Sequence, residues 1–174
     1  MKSKWVLAVI VGLVGVAAYA TNVLATPATP LAFSGTTLAK ATYGEIDSHV
    51  VAEPGWQEKI KTHGASDLYV QQNTWDPSLC GGCIPGTGWH THPGPSFIVV
   101  TQGSVTVYDG DDPTCTPQVY TAGTAKNSFV DPGDGHVHLI RNETGSVAKT
   151  IAAQLIPAGA DRRQDSPAPG NCSF

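Results

Sequence analysis

Short apolar runs broken every few residues by glycine or proline constrain this chain more than any other feature, because they leave no room for long helices. Six of them read "DLYVQQNTW" (67–75), "SFIVVTQ" (96–102), "SVTVYDG" (104–110), "SFVD" (128–131), "HVHLIRN" (136–142) and "AKTIAAQLI" (148–156). They are rich in Val, Ile, Thr and aromatic residues, which suit a pleated, half-buried surface. Turn-forming residues bound them: Gly103, Gly110-Asp111-Asp112-Pro113 and Pro132-Gly133-Asp134-Gly135. "VVTQGSVTVYDG" predicts a hairpin about Gly103. No long amphipathic pattern is present, and "PGWQEKIKTHG" (54–64) fits one helical turn as well as a charged strand. Many short strands at close spacing predict an all-β sandwich or barrel, and 174 residues suffice for a single domain.

The first residues, "MKSKWVLAVIVGLVGVAAYATNVLA", are of another kind. Lys2 and Lys4 precede an uncharged run from Trp5 to Ala20, and small residues follow at Ala18-Tyr19-Ala20 and Val23-Leu24-Ala25. That pattern fits a secretory signal cleaved after Ala20 or Ala25. The run falls short of the roughly 20 residues that span a bilayer, which disfavours an uncleaved anchor. It is apolar all round, which disfavours a surface helix. Residues 1–25 are thus expected to be a signal peptide, 26–66 an N-terminal extension with the first strands, 67–158 the barrel and 159–174 a C-terminal tail. Both "TPATPLAFSG" and "GADRRQDSPAPGNCSF" read as loose ends. Cleavage would remove two lysines from a chain whose formal net charge is −4. Such an acidic domain, secreted, periplasmic or extracellular, has no broad attraction for nucleic acid, nor for a membrane beyond the signal segment.

Four of the six histidines fall in two tight clusters, "GWHTHPGPSFIVVTQG" (88–103) and "DPGDGHVHLIRN" (131–142). Side chains alternate along a strand, so His90 and His92 share a face and Thr91 takes the other. Neutral imidazoles side by side grip a divalent ion, and a ligand from a neighbouring strand completes the set. His49 and His63 have no partner pattern and read as surface residues.

The first cluster resembles the first conserved motif of the cupin superfamily, with His90 and His92 at its two histidine positions and Gly103 at its closing glycine. The stretch 123–142 resembles the second motif, with Gly135, His138 and Asn142 in register and Pro132 one position early. The resemblance implies a cupin-type jelly-roll β-barrel of one domain with its ligands directed into the cavity. It also implies His90, His92 and His138 as metal ligands. Ser96 stands where the family has glutamate, so the implied site is three-histidine and open, as in some dioxygenases of the superfamily. Without an anionic ligand such a site favours Fe, Zn, Cu or Ni over Mg or Mn. His136 shares parity with His138 and is a candidate acid/base group, a fourth ligand or a turn residue. The resemblance further suggests a homodimer.

Cys80 and Cys83 precede the histidines, and C-x-x-C followed by H-x-H also suits a Cys2His2 zinc site. Export, the prior claim of the cupin motif on the histidines and the small Gly81-Gly82 linker favour a Cys80–Cys83 disulfide, which leaves Cys115–Cys172 as the second pair. Asn142 and Asn171 open glycosylation sequons. Phe97, Val99, Val105, Val107, Ile140 and Ile151 are expected in the barrel core, and Trp75 and Trp89 in packing rather than at the cavity mouth. The functional expectation is metal-dependent, dioxygenase-like chemistry on a small organic molecule. The alternatives are a non-catalytic small-molecule or metal-binding barrel and a structural barrel with no ligand.

Overall fold

The computed structural model describes residues 24–174, so most of the expected signal segment lies outside the described residues. The strands are β1 (Phe33–Tyr43), β2 (Asp47–Glu53), β3 (Trp56–Lys61), β4 (Ser66–Trp75), β5 (His90–Thr91), β6 (Ser96–Gln102), β7 (Ser104–Asp109), β8 (Gln118–Thr121), β9 (Ser128–Asp131), β10 (His138–Arg141), β11 (Ala148–Pro157) and β12 (Gln164–Asp165). One five-stranded antiparallel sheet runs β1-β4-β11-β6-β9 and a second runs β12-β5-β10-β7-β8. Together they form the two walls of a jelly-roll barrel, and β2 and β3 make a separate hairpin. The undecided stretch 54–64 therefore supplies a strand. Its Trp56 and Ile60 are exposed, and pairing with β2 is what satisfies its backbone.

β6 passes to β7 through Gly103, whose φ is 65°. A Cβ there would lie 2.6 Å from the Val147 carbonyl oxygen, so the turn requires glycine. Trp75, Val100, Val105, Val107, Ile140 and Ala148 form the main core, with Phe33 packed on Trp75 at 5.1 Å between ring centroids. Truncating a tryptophan buried this completely costs about 3–5 kcal/mol. A smaller core joins Trp89, Tyr108 and Leu139 to the Cys115–Cys172 bridge. Both tryptophans are thus packing residues.

Two expectations fail. Phe97 and Val99 are 55% and 42% exposed, because β6 turns Ser96, Ile98 and Val100 inward. Nor are the ends loose. The Thr26 amide donates to the Ser166 carbonyl, and β12 pairs with β5, Asp165 lying opposite His90. The Cys115–Cys172 disulfide holds the last residues to the loop after β7, and Cys80–Cys83 closes the short 3-10 turn Pro77–Cys80. Asn142 is fully buried and donates to the Trp75 and Ser146 carbonyls, while Asn171 donates to those of Asp109 and Asp112. Their amide nitrogens serve the fold.

Candidate metal centre

The approach to β5 sets the site. Thr87 is buried, donates its hydroxyl to the Gly88 carbonyl and accepts the Ile140 amide, which ties this approach to β10. Gly88 has φ 71°, and a Cβ there would collide with the Thr26 carbonyl. The first residues after the expected cleavage site therefore press on the segment that carries the histidines. Trp89 also donates its amide to Thr26 Oγ1, at 2.7 Å.

His90 and His138 are register partners across β5 and β10, and His92 follows just beyond β5. The ring centroids lie 4.3 Å apart for His90–His138, 4.9 Å for His90–His92 and 5.3 Å for His92–His138. One ring nitrogen from each lies within 4.8 Å of one from each of the others. His90 and His138 are buried, and His92 is nearly so. His90 Nδ1 donates to the Gly88 carbonyl at 2.9 Å and His92 Nδ1 to the Arg162 carbonyl at 2.5 Å. Those bonds fix each ring and leave Nε2 as the free lone pair, the arrangement a metal-ligating histidine needs.

Burial holds all three imidazoles in the neutral form. It pushes His90 well below its ordinary 6.5 and lowers His92, and it brings His138 down to about 4. Converging neutral imidazoles in a protected site fit a divalent transition metal, so the donor set present suits the group the fold implies.

The rings open on a cavity of about 100 Å³, lined by Ser96, Ile98, Ile140, Gln154, Arg162 and Arg163 among others. Arg163 Nε donates to Asp165 at 2.6 Å, while its buried Nη2 has no partner among the described residues. Both arginines lie in the tail that the sequence presents as loose. Their role was not legible, since only the β12–β5 pairing brings that tail back over the histidines.

His136 lies elsewhere. It borders a second cavity with Asp109, Asp131 and Tyr120, and its Nδ1 donates to Asp131 Oδ1 at 3.2 Å. His138 lines both cavities, whereas His136 and Asp131 line only the second, where one ligand atom each of Asp131, His136 and His138 lie within 4.8 Å of one another. His49 and His63 are exposed, as expected.

Two antiparallel sheets closed around three converging imidazoles define a jelly-roll β-barrel with a three-histidine site. No family model and no curated protein matches the sequence. Among solved structures, a cupin superfamily protein from Desulfitobacterium hafniense is 10% identical with a TM-score of 0.40, covering 70% of this chain and 81% of that one. A cupin-like protein from Thermotoga maritima is 15% identical with a TM-score of 0.42, covering 58% and 65%. An oxalate oxidase in complex with the substrate analogue glycolate is 18% identical with a TM-score of 0.44, covering 75% of this chain and 57% of that one. Likenesses this partial carry no argument, and the jelly-roll assignment stands on this chain's own strands.

Proposed function

We propose that this chain is an exported, metal-dependent enzyme that holds one divalent ion through His90, His92 and His138 and oxidises a small organic molecule in the manner of a dioxygenase. The observation that supports it is the convergence of three neutral imidazoles, two of them buried, on one cavity. An ion held by these three rings would supply Lewis-acid and redox chemistry.

The chain's own residues do the rest. The Gly88 and Arg162 carbonyls hold the His90 and His92 rings in position. Ile98, Ile140 and Phe33 give the chamber an apolar side. Arg162 and Arg163 give its wall positive charge, which orients an anionic group of the substrate. His136 orients Asp131 in this reading and does not touch the substrate.

Two disulfides are compatible with the oxidising compartment that a signal over residues 1–25 implies. Outward-facing Phe97, Val99 and Val130 on β6 and β9 support a homodimer through that sheet.

Oxygen uptake by iron-loaded protein tests the activity against a panel of diketones, thiols, phenols and small carboxylic acids. Uptake with one class is the expected result. Metal and ligand bound without any oxygen consumed would make the protein a binding module instead.

A further inference from the structure

We infer that Asp131, His136 and His138 form a second divalent-metal site, on the other side of the His138 ring, and that the two sites share that ring by turns. The sharing rests on the three-histidine reading; the second site does not.

The loop between β9 and β10 builds this site. Asp131 ends β9, opposite Ser96 on β6, and its Oδ1 accepts from the Gly133 amide at 3.2 Å. The His136 amide donates to the Gly133 carbonyl at 3.1 Å, which folds the loop back on itself. Asp131 Oδ1 thereby lies 3.2 Å from His136 Nδ1 and 3.6 Å from His138 Nδ1. Donors about 2.1 Å from one ion are about 3.0–3.4 Å apart, so the set needs little movement to share one. The ion takes the place of the proton that His136 Nδ1 donates to Asp131. Asp109, the register partner of His138 on β7, is held by Gln118 and puts its Oδ1 3.6 Å from His136 Nε2. Its charge favours the ring proton on Nε2 and so turns the Nδ1 lone pair to the ion, as outer-shell carboxylates do.

The charge of the second cavity agrees. Among the described residues its wall carries Asp109 and Asp131 and no lysine or arginine, whereas Arg162 and Arg163 line the first. Asp131 is 3% exposed, and its Oδ2 has no hydrogen-bond partner among the described residues. A buried carboxylate so poorly compensated is costly, and a bound cation offsets that cost. Two imidazoles and a carboxylate suit Fe(II), Zn(II) or Mn(II).

His138 lines both cavities. Its Nδ1 is turned to Asp131, which leaves Nε2 to the three-histidine site. A neutral imidazole has one lone pair on one nitrogen, so the ring serves one ion at a time. The chain therefore holds one ion, in either site.

Co(II) titrations followed by the visible spectrum test this, with circular dichroism as the check of folding. Wild type is expected to take one equivalent. H90A/H92A should still take one, with a changed spectrum. D131N or H136A added to that variant should weaken binding by more than about 100-fold, beyond the cost of losing an outer-shell partner. If H90A/H92A does not fold, H92A with and without D131N makes the same comparison, since His92 is the least buried of the three rings. A folded H90A/H92A that binds no Co(II) overturns the second site and leaves the three-histidine reading standing. Unchanged affinity on adding D131N or H136A overturns it as well. Two equivalents in wild type overturn the sharing of His138. If H90A/H92A keeps the wild-type affinity and spectrum, it is the three-histidine reading that falls.

Discussion

His90 and His138 face each other across the β5–β10 ladder, with ring centroids 4.3 Å apart, although 47 residues of sequence separate them. Register pairing of two short strands thus brings the two histidine motifs into contact. Three neighbouring imidazoles repel as cations, and burial penalises their charge further, so the pocket is built for the neutral form.

That neutrality makes the metal-free protein sensitive to mild acid. The unfolded chain takes up protons at these histidines near 6.5, whereas the folded chain holds His138 neutral down to about 4. The unfolded state binds more protons throughout that window, so stability present above about pH 6.5 is lost as the pH falls toward about 4. Urea unfolding of metal-free protein across this range should show the decline. A flat profile would mean that the histidines are solvated in the metal-free state.

A second acid-sensitive element sits at the far end of β4. The Asp67 carboxylate accepts from Thr42 Oγ1 at 2.6 Å and the Gly159 amide at 3.0 Å, and pairs with Lys40 at 2.9 Å. Those bonds, Thr42 first, hold its pKa down at about 2 against an ordinary 3.8. Stability from this group is present above about pH 4 and disappears as the pH falls through about 2. D67N should therefore be less stable than wild type at neutral pH, with the gap narrowing toward about pH 2. An equal gap at both ends would assign the loss to packing.

The two disulfides should differ in worth. Cys115–Cys172 closes a loop with a sequence separation of 57, and Cys80–Cys83 one of 3. Loop-closure entropy gives about 4 kcal/mol for the first and about 2 kcal/mol for the second. Paired Cys→Ala variants compared by chemical denaturation should follow that order. C115A/C172A should also expose residues near β12 to proteolysis, since the bridge holds the tail that β12 belongs to. The reverse order of stabilities would refute the loop-length account.

The local parts of this fold were legible in the sequence, and the non-local parts were not. "SFIVVTQ" announces a strand, yet its apolar residues fall on both parities, so composition alone did not separate Phe97 and Val99 from Ile98 and Val100. Parity did hold the answer: an inward Ser96 obliges Ile98 and Val100 to follow it. β1 was hidden because 10 of its 11 residues are exposed and lack a clean alternation. Asp131 was visible as a strand end, but its register against Ser96 depends on how distant strands pair. Arg162 and Arg163 were missed for the same reason, as their tail returns to the cavity only through β12.

Metal content per chain, measured by elemental mass spectrometry on untagged protein before and after H138A, tests the central claim most directly. Near one equivalent of a transition metal in wild type is expected, with an affinity loss in H138A exceeding the about 10–100-fold that outer-shell changes cost. The same stoichiometry and affinity in both proteins would contradict a metal held by His90, His92 and His138.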